Sequence, residues 1–330
     1  MHVLVTGGAG YIGSHTVRLL REAGYTVVVL DSMEFGYRAA IGDTPLVEGN
    51  TNDEALLDRL FAEHPVDAVV HFAAYKAPGE SMEQPARYFE NNVCGTLSLL
   101  RAMQRAGIRY FVFSSTCAVY GTPDVLPVSE TNALHPESPY GESKLMVEQM
   151  LKWFDVCHSM RYVSLRYFNA AGAAPDASIG EDPSRTLNLI PLVMKAATGK
   201  TPAVQVFGTD YPTTDGTAIR DYIHVLDLAD AHIKALEYLK AHDRSEIFNL
   251  GTGQGSSVQE VIDTARRISG VDIPVEYTGR RPGDPVAVWA DNTKARTQMG
   301  WQPRYGLEEI VGTAWHWHST HPEGYAEGRG

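Results

Sequence analysis

Tyr140 and Lys144 stand four residues apart in the run Ser138, Pro139, Tyr140, Gly141, Glu142, Ser143, Lys144. Proline is tolerated at a first helical position, so a helix starting at Pro139 puts phenol and ammonium on one face by the i,i+4 rule. A phenol titrates near pH ~10 and is a poor base at neutrality, but a neighbouring cation favours the phenolate. Tyr140 could then accept a proton from an alcohol. The same spacing also describes two residues on a solvated helix face, so the rest of the chain has to decide.

The decision starts at the N-terminus. His2 to Thr6 reads as a short strand, and Gly7, Gly8, Ala9, Gly10, Tyr11, Ile12, Gly13 turn it into a helix running through Val17, Leu19 and Leu20. Glycines there let backbone approach a pyrophosphate, and the helix N-terminus offers it free N–H groups and a positive dipole end. A second strand, Thr26 to Leu30, ends in Asp31. A carboxylate at that place hydrogen-bonds an adenosine 2′-hydroxyl and repels a 2′-phosphate, which selects NAD over NADP.

Further strands are expected at 46–47, 68–72, 110–113 and 162–167, with helices near 53–63, 91–106 and 140–157. This alternation predicts an α/β fold, a Rossmann-type doubly wound parallel sheet. Ligands on such sheets sit at the carboxyl ends of the strands, where Phe72 to Lys76, Ser114 to Thr116, and Phe168 with Asn169 fall. Beyond about Gly172 the pattern loosens and a second, smaller α/β domain is expected. A helix at 225–239 and a strand at 246–250 are read as returning to the first sheet. The expected division is therefore 1–172 plus roughly 225–250 for the NAD-binding domain, with 173–224 and 251–330 forming the second domain. The latter region should add a helix near 257–269, a strand near 273–277 and a terminal helix near 307–318.

The chain has 330 residues, 44% of them hydrophobic and 21% charged, which is ordinary globular composition. A net charge of -12 argues against a general binder of nucleic acid or anionic membrane. Cys94, Cys117 and Cys157 lie far apart without a C-x-x-C, so neither a disulfide framework nor a zinc site is indicated. The histidines show no metal-ligand spacing, and no metal is expected. No apolar run approaches the roughly 18 residues of a membrane span, and the glycine motif leaves no room for a cleaved signal. A cytoplasmic protein is expected.

On these residues the chain resembles the extended short-chain dehydrogenase/reductase family, and most of all its UDP-glucose (UDP-galactose) 4-epimerases. The likeness runs through TGGAGYIGSH (6–15), HFAAYKAPGES (71–81), NNVCGT (91–96), FSSTCAVYG (113–121), SPYGESKLMVEQ (138–149) and LRYFNAAGA (165–173). It continues in DYPTTDGTAIRDYIHVLDLAD (210–230) and WHWHSTHPEGY (315–325). The resemblance implies reversible inversion at C4 of a UDP-hexose by transient hydride transfer to tightly bound NAD+, through a 4-keto sugar. It assigns Tyr140 as acid/base, Lys144 as the cation that tunes it and holds the nicotinamide ribose, and Thr116 as the hydroxyl bonding the sugar. Cofactor contacts would fall on Gly7, Gly10, Tyr11, Ile12, Gly13, Asp31, Ser32, Asn50, Thr51, Phe72, Ala73, Ala74, Lys76, Asn92, Ser114 and Phe168. UDP-sugar contacts would fall on Asn169, Asn188, Leu189, Gln205, Phe207, Arg220, Arg281 and Asp284. Two arginine forks suit a diphosphate.

Some positions depart from the family pattern. Thr116 replaces the usual serine but keeps the hydroxyl. Asn50 replaces an adenine-binding aspartate and can still accept a hydrogen bond. The loop after Asp31 is short. Val288 stands where epimerases restricted to non-acetylated sugars carry tyrosine, so UDP-GlcNAc/UDP-GalNAc are expected beside UDP-Glc/UDP-Gal. A nucleotide-sugar 4,6-dehydratase would place Asp-Glu after the threonine, where Cys117 and Ala118 stand. A non-catalytic NAD-binding module would not need Tyr140, Lys144 and Thr116 together. Broad apolar faces near 91–106 and 140–157 resemble the helices the family pairs into a homodimer.

Overall fold

The computed structural model describes residues 1–281 and 283–325. The chain opens with β1 (His2–Thr6), α1 (Tyr11–Glu22), β2 (Thr26–Asp31), α2 (Arg38–Ile41), β3 (Leu46–Glu48) and α3 (Glu54–Glu63). Then come β4 (Ala68–His71), α4 (Pro78–Glu83), α5 (Pro85–Tyr88), α6 (Gly95–Ala106), β5 (Tyr110–Ser114), α7 (Pro139–His158) and β6 (Arg161–Tyr167). The remainder comprises β7 (Asn169–Ala171), α8 (Leu189–Ala197), β8 (Val204–Phe207), β9 (Ile219–Arg220), β10 (Tyr222–His224), α9 (Val225–His242) and β11 (Glu246–Leu250). It closes with β12 (Ser256–Ser257), α10 (Val258–Ser269), β13 (Val275–Thr278), β14 (Ala287–Val288) and α11 (Leu307–Thr320).

Seven strands make one parallel sheet in the order β11-β6-β5-β4-β1-β2-β3. Successive side chains of a strand point to opposite faces, and here both faces are covered. Val3, Val5, Val27, Val29 and Val70 pack with Val17 and Leu20 of α1 and Leu228 and Leu236 of α9. Leu4, Val28, Leu30, Val69 and Phe111 pack on the other side with Leu57 of α3, Leu99 and Met103 of α6, and Val147 of α7. Two buried faces explain why the strands read as unbroken apolar runs. β11 pairs with β6 at the sheet's edge, as the expected return of that strand requires.

The looser region is more regular than its sequence. α8 was not foreseen because Pro191 interrupts it, yet that proline sits in the first turn, where a missing N–H costs nothing. β7 pairs with β10, β8 with β13, and β12-β9-β14 form a small sheet. Ile190, Val193, Val261, Ile262, Ile310 and Val311 fill a separate core beneath them. The expected helix at 91–106 starts earlier, because a π-helical segment Phe89–Cys94 runs into α6. The strand expected at 68–72 stops at His71, and the one expected at 273–277 spans Val275–Thr278.

Candidate active site

Three side chains foreseen as reactive meet at the carboxyl end of β5. Ser138 caps α7 by accepting from Gly141 N at 3.2 Å, with Pro139 at the first helical position, so Tyr140 and Lys144 are one turn apart as their spacing required. The backbone N–H of Tyr140 donates to Ser81 Oγ at 3.2 Å. Thr116 continues the extended path of β5, and its hydroxyl accepts from Ala118 N at 3.1 Å. That hydroxyl is also close enough to the Tyr140 phenol to lower its pKa. Lys144 is 3% exposed, with Nζ donating to Ser114 O at 2.8 Å and lying 4.9 Å from the Phe113 ring centroid.

Electrostatics corrects one expectation. Burial pushes the Tyr140 phenol well above its usual range, Tyr167 adds to this, and the nearby Thr116 hydroxyl pulls it back only in part. Lys144 was expected to lower the phenol. Its own ammonium is disfavoured instead, with burial bringing it down to about 7 against an opposing pull from Glu148. Loss of hydration is the largest cause for both groups, so the chain by itself holds Tyr140 protonated. Cys117 is pushed up to about 12 by burial, which leaves an inert thiol beside Thr116.

A buried network underlies this corner. Glu148 accepts from Ser115 Oγ at 2.6 Å and from Arg166 Nε at 2.9 Å and Nη2 at 2.5 Å. Arg166 Nη1 donates to the Tyr120 hydroxyl at 2.9 Å, which donates to Asn249 Oδ1 at 2.7 Å. Sequence reasoning missed this network, although Glu148 lies one turn beyond Lys144 and Ser115 directly precedes Thr116. It missed Ser81 and Tyr167 as well; the Tyr167 hydroxyl lies 2.5 Å from Ser114 Oγ.

The glycine turn fits a dinucleotide. Gly7 has φ +68°, and a Cβ there would stand 2.6 Å from Ala73 N, while one at Gly13 would stand 2.2 Å from Gly7 O. Only glycine lets α1 and the loop after β4 approach so closely. Gly10 caps α1 without a side-chain hydrogen bond, and no acidic residue lies in the first turn. The N–H groups around Tyr11, Ile12 and Gly13 therefore face no intrahelical partner, as an anion site requires. Asp31, 7% exposed, accepts from Ala9 N and Met33 N, each at 2.9 Å. The carboxylate thus holds the glycine loop, and each oxygen keeps capacity for a ribose hydroxyl.

Of the other expected cofactor contacts, Ser32 follows β2, and Asn50 Oδ1 accepts from Asn52 N at 2.9 Å beside buried Thr51. Phe72, Ala73 and Ala74 follow β4, the Phe72 ring lying 4.5 Å from His232. Lys76 pairs with Glu181 at 3.5 Å. Asn92 accepts from Tyr75 N at 2.9 Å and donates to Tyr75 O and Ser143 Oγ at 3.0 Å, so it positions the Lys76 loop against α7. Phe168 is buried with Val119 and Leu145.

The sugar-side residues gather on the smaller sheets. Arg220 pairs in register with Val288, and its guanidinium donates to Asp284 Oδ1 and Pro285 O at 2.9 Å. A turn from Asp284 N to Arg281 O, 3.3 Å, brings the second arginine to the same loop; Pro282 within it lies outside the described residues. Arg281 stacks 3.7 Å over the Phe207 ring, and Gln205 shares that face of β8. Asn188 caps α8, which Leu189 opens, and Asn169 Nδ2 donates to Asp221 O at 2.9 Å. Val288 packs against the cluster that contains Phe168, Val119 and Leu145, as does Cys117. Among the described residues no cluster of three His, Cys, Asp or Glu is placed to hold a metal.

Comparison with known proteins agrees with this geometry. The profile of the NAD dependent epimerase/dehydratase family matches residues 3–251. A UDP-glucose 4-epimerase of Halalkalibacterium halodurans is 49% identical over 327 residues, 99% of this chain and 98% of that protein. The Stenotrophomonas maltophila UDP-glucose 4-epimerase, solved with NAD and formylated UDP-arabinopyranose, has a TM-score of 0.95 at 43% identity, over 98% of this chain and 99% of that one. The Brucella ovis enzyme solved with NAD gives 0.94 at 45% identity, over 96% and 98%. The chain therefore belongs to the NAD dependent epimerase/dehydratase family, within the extended short-chain dehydrogenases/reductases, and there to the UDP-glucose 4-epimerases.

Proposed function

We infer that the protein reversibly inverts C4 of a UDP-hexose, interconverting UDP-glucose and UDP-galactose. The observation that carries this is the hydroxyl pair of Tyr140 and Thr116 at the end of β5, on the same edge of the sheet as the bare N-terminus of α1. Bound NAD supplies the acceptor and then the donor of the C4 hydride and, when oxidised, a positive charge that favours the phenolate. Tyr140 takes the proton from the 4-hydroxyl and later returns it. Thr116 aligns the sugar hydroxyl with the phenol, and Lys144 braces the strand end through Ser114 while reaching the nicotinamide ribose. Gly7 to Gly13, Lys76 and Asp31 hold the dinucleotide. Arg220, Arg281, Gln205 and Phe207 hold the sugar by its UDP end, which leaves the hexose free to present either face between transfers.

Elimination of water, the dehydratase reaction, needs further acid/base groups beside Thr116. Cys117, held at about 12, and Ala118 offer none. Incubating the purified protein without added cofactor, separately with UDP-Gal, UDP-GalNAc and their 4-epimers, tests the reading. Net release of NADH in step with substrate use would overturn it.

Around this chemistry we assign residues 1–172 and about 225–250 to the dinucleotide domain, and 173–224 with 251–330 to the sugar domain. The separate core beneath α8, α10 and α11 supports the division. We assign a homodimer through α6 and α7. Leu97, Met146, Trp153 and Val156 are exposed there at 37%, 38%, 64% and 68%, apolar area that a partner would cover. A monomeric mass in solution would overturn this. Free Cys94, Cys117 and Cys157 suit a reducing cytoplasm, and among the described residues no helix is long and apolar enough to cross a membrane.

A further inference from the structure

Residues 172–182 leave β7 and run along α1. The Tyr11 hydroxyl donates to Gly172 O at 2.6 Å, and Arg18 donates to Ser178 Oγ at 2.8 Å and to Asp176 at 3.1 and 3.2 Å. The segment then reaches two sides of the glycine turn with adjacent carboxylates. Glu181 Oε1 accepts from Lys76 Nζ at 3.5 Å, and Asp182 accepts from the Tyr37 hydroxyl. Lys76 follows β4 and Tyr37 follows β2, and these strands flank β1 in the sheet. Tyr37 N in turn donates to Ala9 O of the glycine turn at 3.0 Å. A chain that touches both flanks with consecutive residues must cross the carboxyl end of β1, above the N-terminus of α1.

The crossing is braced from behind. The Trp317 indole donates to Glu181 O at 2.9 Å, and Tyr325 stacks on Tyr37 with ring centroids 4.6 Å apart. A Cβ at Gly180 would stand 2.3 Å from the Trp317 ring, so only glycine passes there. Glu181 is 7% exposed, and its Oε2 has no hydrogen-bond partner among the described residues. A buried carboxylate beside an anion site is costly unless a cation screens it. Lys76 does so, with Nζ 5.9 Å from the Tyr11 ring centroid.

We propose that Glu181 and Asp182 are positioning residues of the dinucleotide site: through Lys76 and Tyr37 they strap the sugar-side region across the glycine turn and gate entry and exit of the cofactor. The proposal rests on the dinucleotide reading and not on the identity of the sugar. The strap makes the cofactor slow to leave, as a reaction that returns its hydride requires.

The test loads the full chain with NADH and follows the loss of its fluorescence on chasing with excess NAD, then measures uptake from the empty state. Parent, Glu181→Gln, Asp182→Asn and Tyr37→Phe are compared, the last removing a single hydroxyl. Breaking one charge-assisted tie should speed both release and uptake by about tenfold, with thermal melting of the dinucleotide-free protein unchanged. A gate affects both directions, whereas general loosening weakens only retention. Unchanged rates in all three variants, or faster release alone together with a lower melting temperature, would overturn the proposal. A parent that retains no dinucleotide would overturn both this proposal and the reading beneath it.

Discussion

Lys144 Nζ donates to the carbonyl of Ser114, whereas the phenol of Tyr140, one turn earlier on α7, faces the hydroxyl of Thr116, which pulls its pKa down. The two side chains of the motif therefore engage the same strand end with different tasks. One braces the backbone, and in the proposed mechanism the other shares a proton path with the sugar-facing hydroxyl.

Tyr140→Phe follows directly. On the proposed mechanism, removing the group that takes the 4-hydroxyl proton should lower kcat by at least about 10²-fold, the usual contribution of a positioned acid/base. Circular dichroism and thermal melting should change little, because among the described residues no hydrogen bond or ion pair holding the fold runs through the phenol oxygen. A variant keeping a tenth of the parent's kcat would remove Tyr140 from the proton path.

Lys144 carries a pH signature. Burial brings it from an ordinary 10.5 down to about 7, so between those values the unfolded chain binds a proton that the folded chain does not. Stability rises with pH wherever the unfolded state holds more protons. Lys144 therefore costs stability at and below pH 7, and the cost fades toward pH 10. Without dinucleotide, the gap in urea midpoint between Lys144→Met and the parent should narrow from pH 7 to pH 9 in the variant's disfavour. A gap independent of pH would contradict a depressed ammonium.

Glu148 and Arg166, with side chains 4% and 3% exposed, form an ion pair whose members cannot be removed singly without cost. Glu148→Gln leaves a guanidinium buried opposite a neutral amide, and loss of a buried charge partner destabilises by about 3–5 kcal/mol. A double replacement, Glu148→Gln with Arg166→Met, should recover part of that loss. Equal destabilisation in the single and double variants, read from denaturant midpoints, would show that the charge is not what matters there.

Acid should destabilise the fold through its buried imidazoles. Burial lowers His15, His232 and His318 to about 4 and His71 and His224 to about 3. From about pH 6.5 down to those values the unfolded chain takes up protons that the folded chain refuses, so stability falls as pH falls. Asp227, raised to about 6 by burial, works in the opposite direction and offsets one of the five. His232→Phe, which fills a site against Phe72, should lose less stability than the parent between pH 7 and pH 5 in urea titrations.

The parts of the fold legible in the sequence were those where one local rule dominates. Gly7, Gly13 and Asp31 sit where backbone approach and a strand end allow few other residues, and Pro139 marks the start of α7. The strands of the central sheet were legible because both of their faces are buried. What remained hidden depends on contacts distant in sequence. β8, β9 and β14 are short, Val204 and Val206 of β8 take their apolar partners from α8, α10 and α11, and α8 carries a proline that reads as a break. The ties of Glu181 and Asp182 to Lys76 and Tyr37 join segments that no spacing rule connects. The direction of the Tyr140 shift was misjudged because spacing reports a neighbouring charge and says nothing of burial.

Val288 is expected to govern the size of sugar the site admits. It packs against the cluster that contains Phe168, as does Cys117, the residue after Thr116, and it pairs in register with Arg220. A valine there leaves space that a tyrosine ring would fill, and a 2-acetamido group needs such space. The parent should turn over UDP-GalNAc/UDP-GlcNAc as well as UDP-Gal/UDP-Glc. Val288→Tyr should depress kcat/KM for the acetylated pair by about 10–10²-fold, as a steric clash of 1–3 kcal/mol does, while the non-acetylated pair changes little. Circular dichroism checks that the ring has not displaced Phe168. If parent and variant discriminate equally between the two sugar pairs, the space at Val288 does not face the 2-position of the hexose.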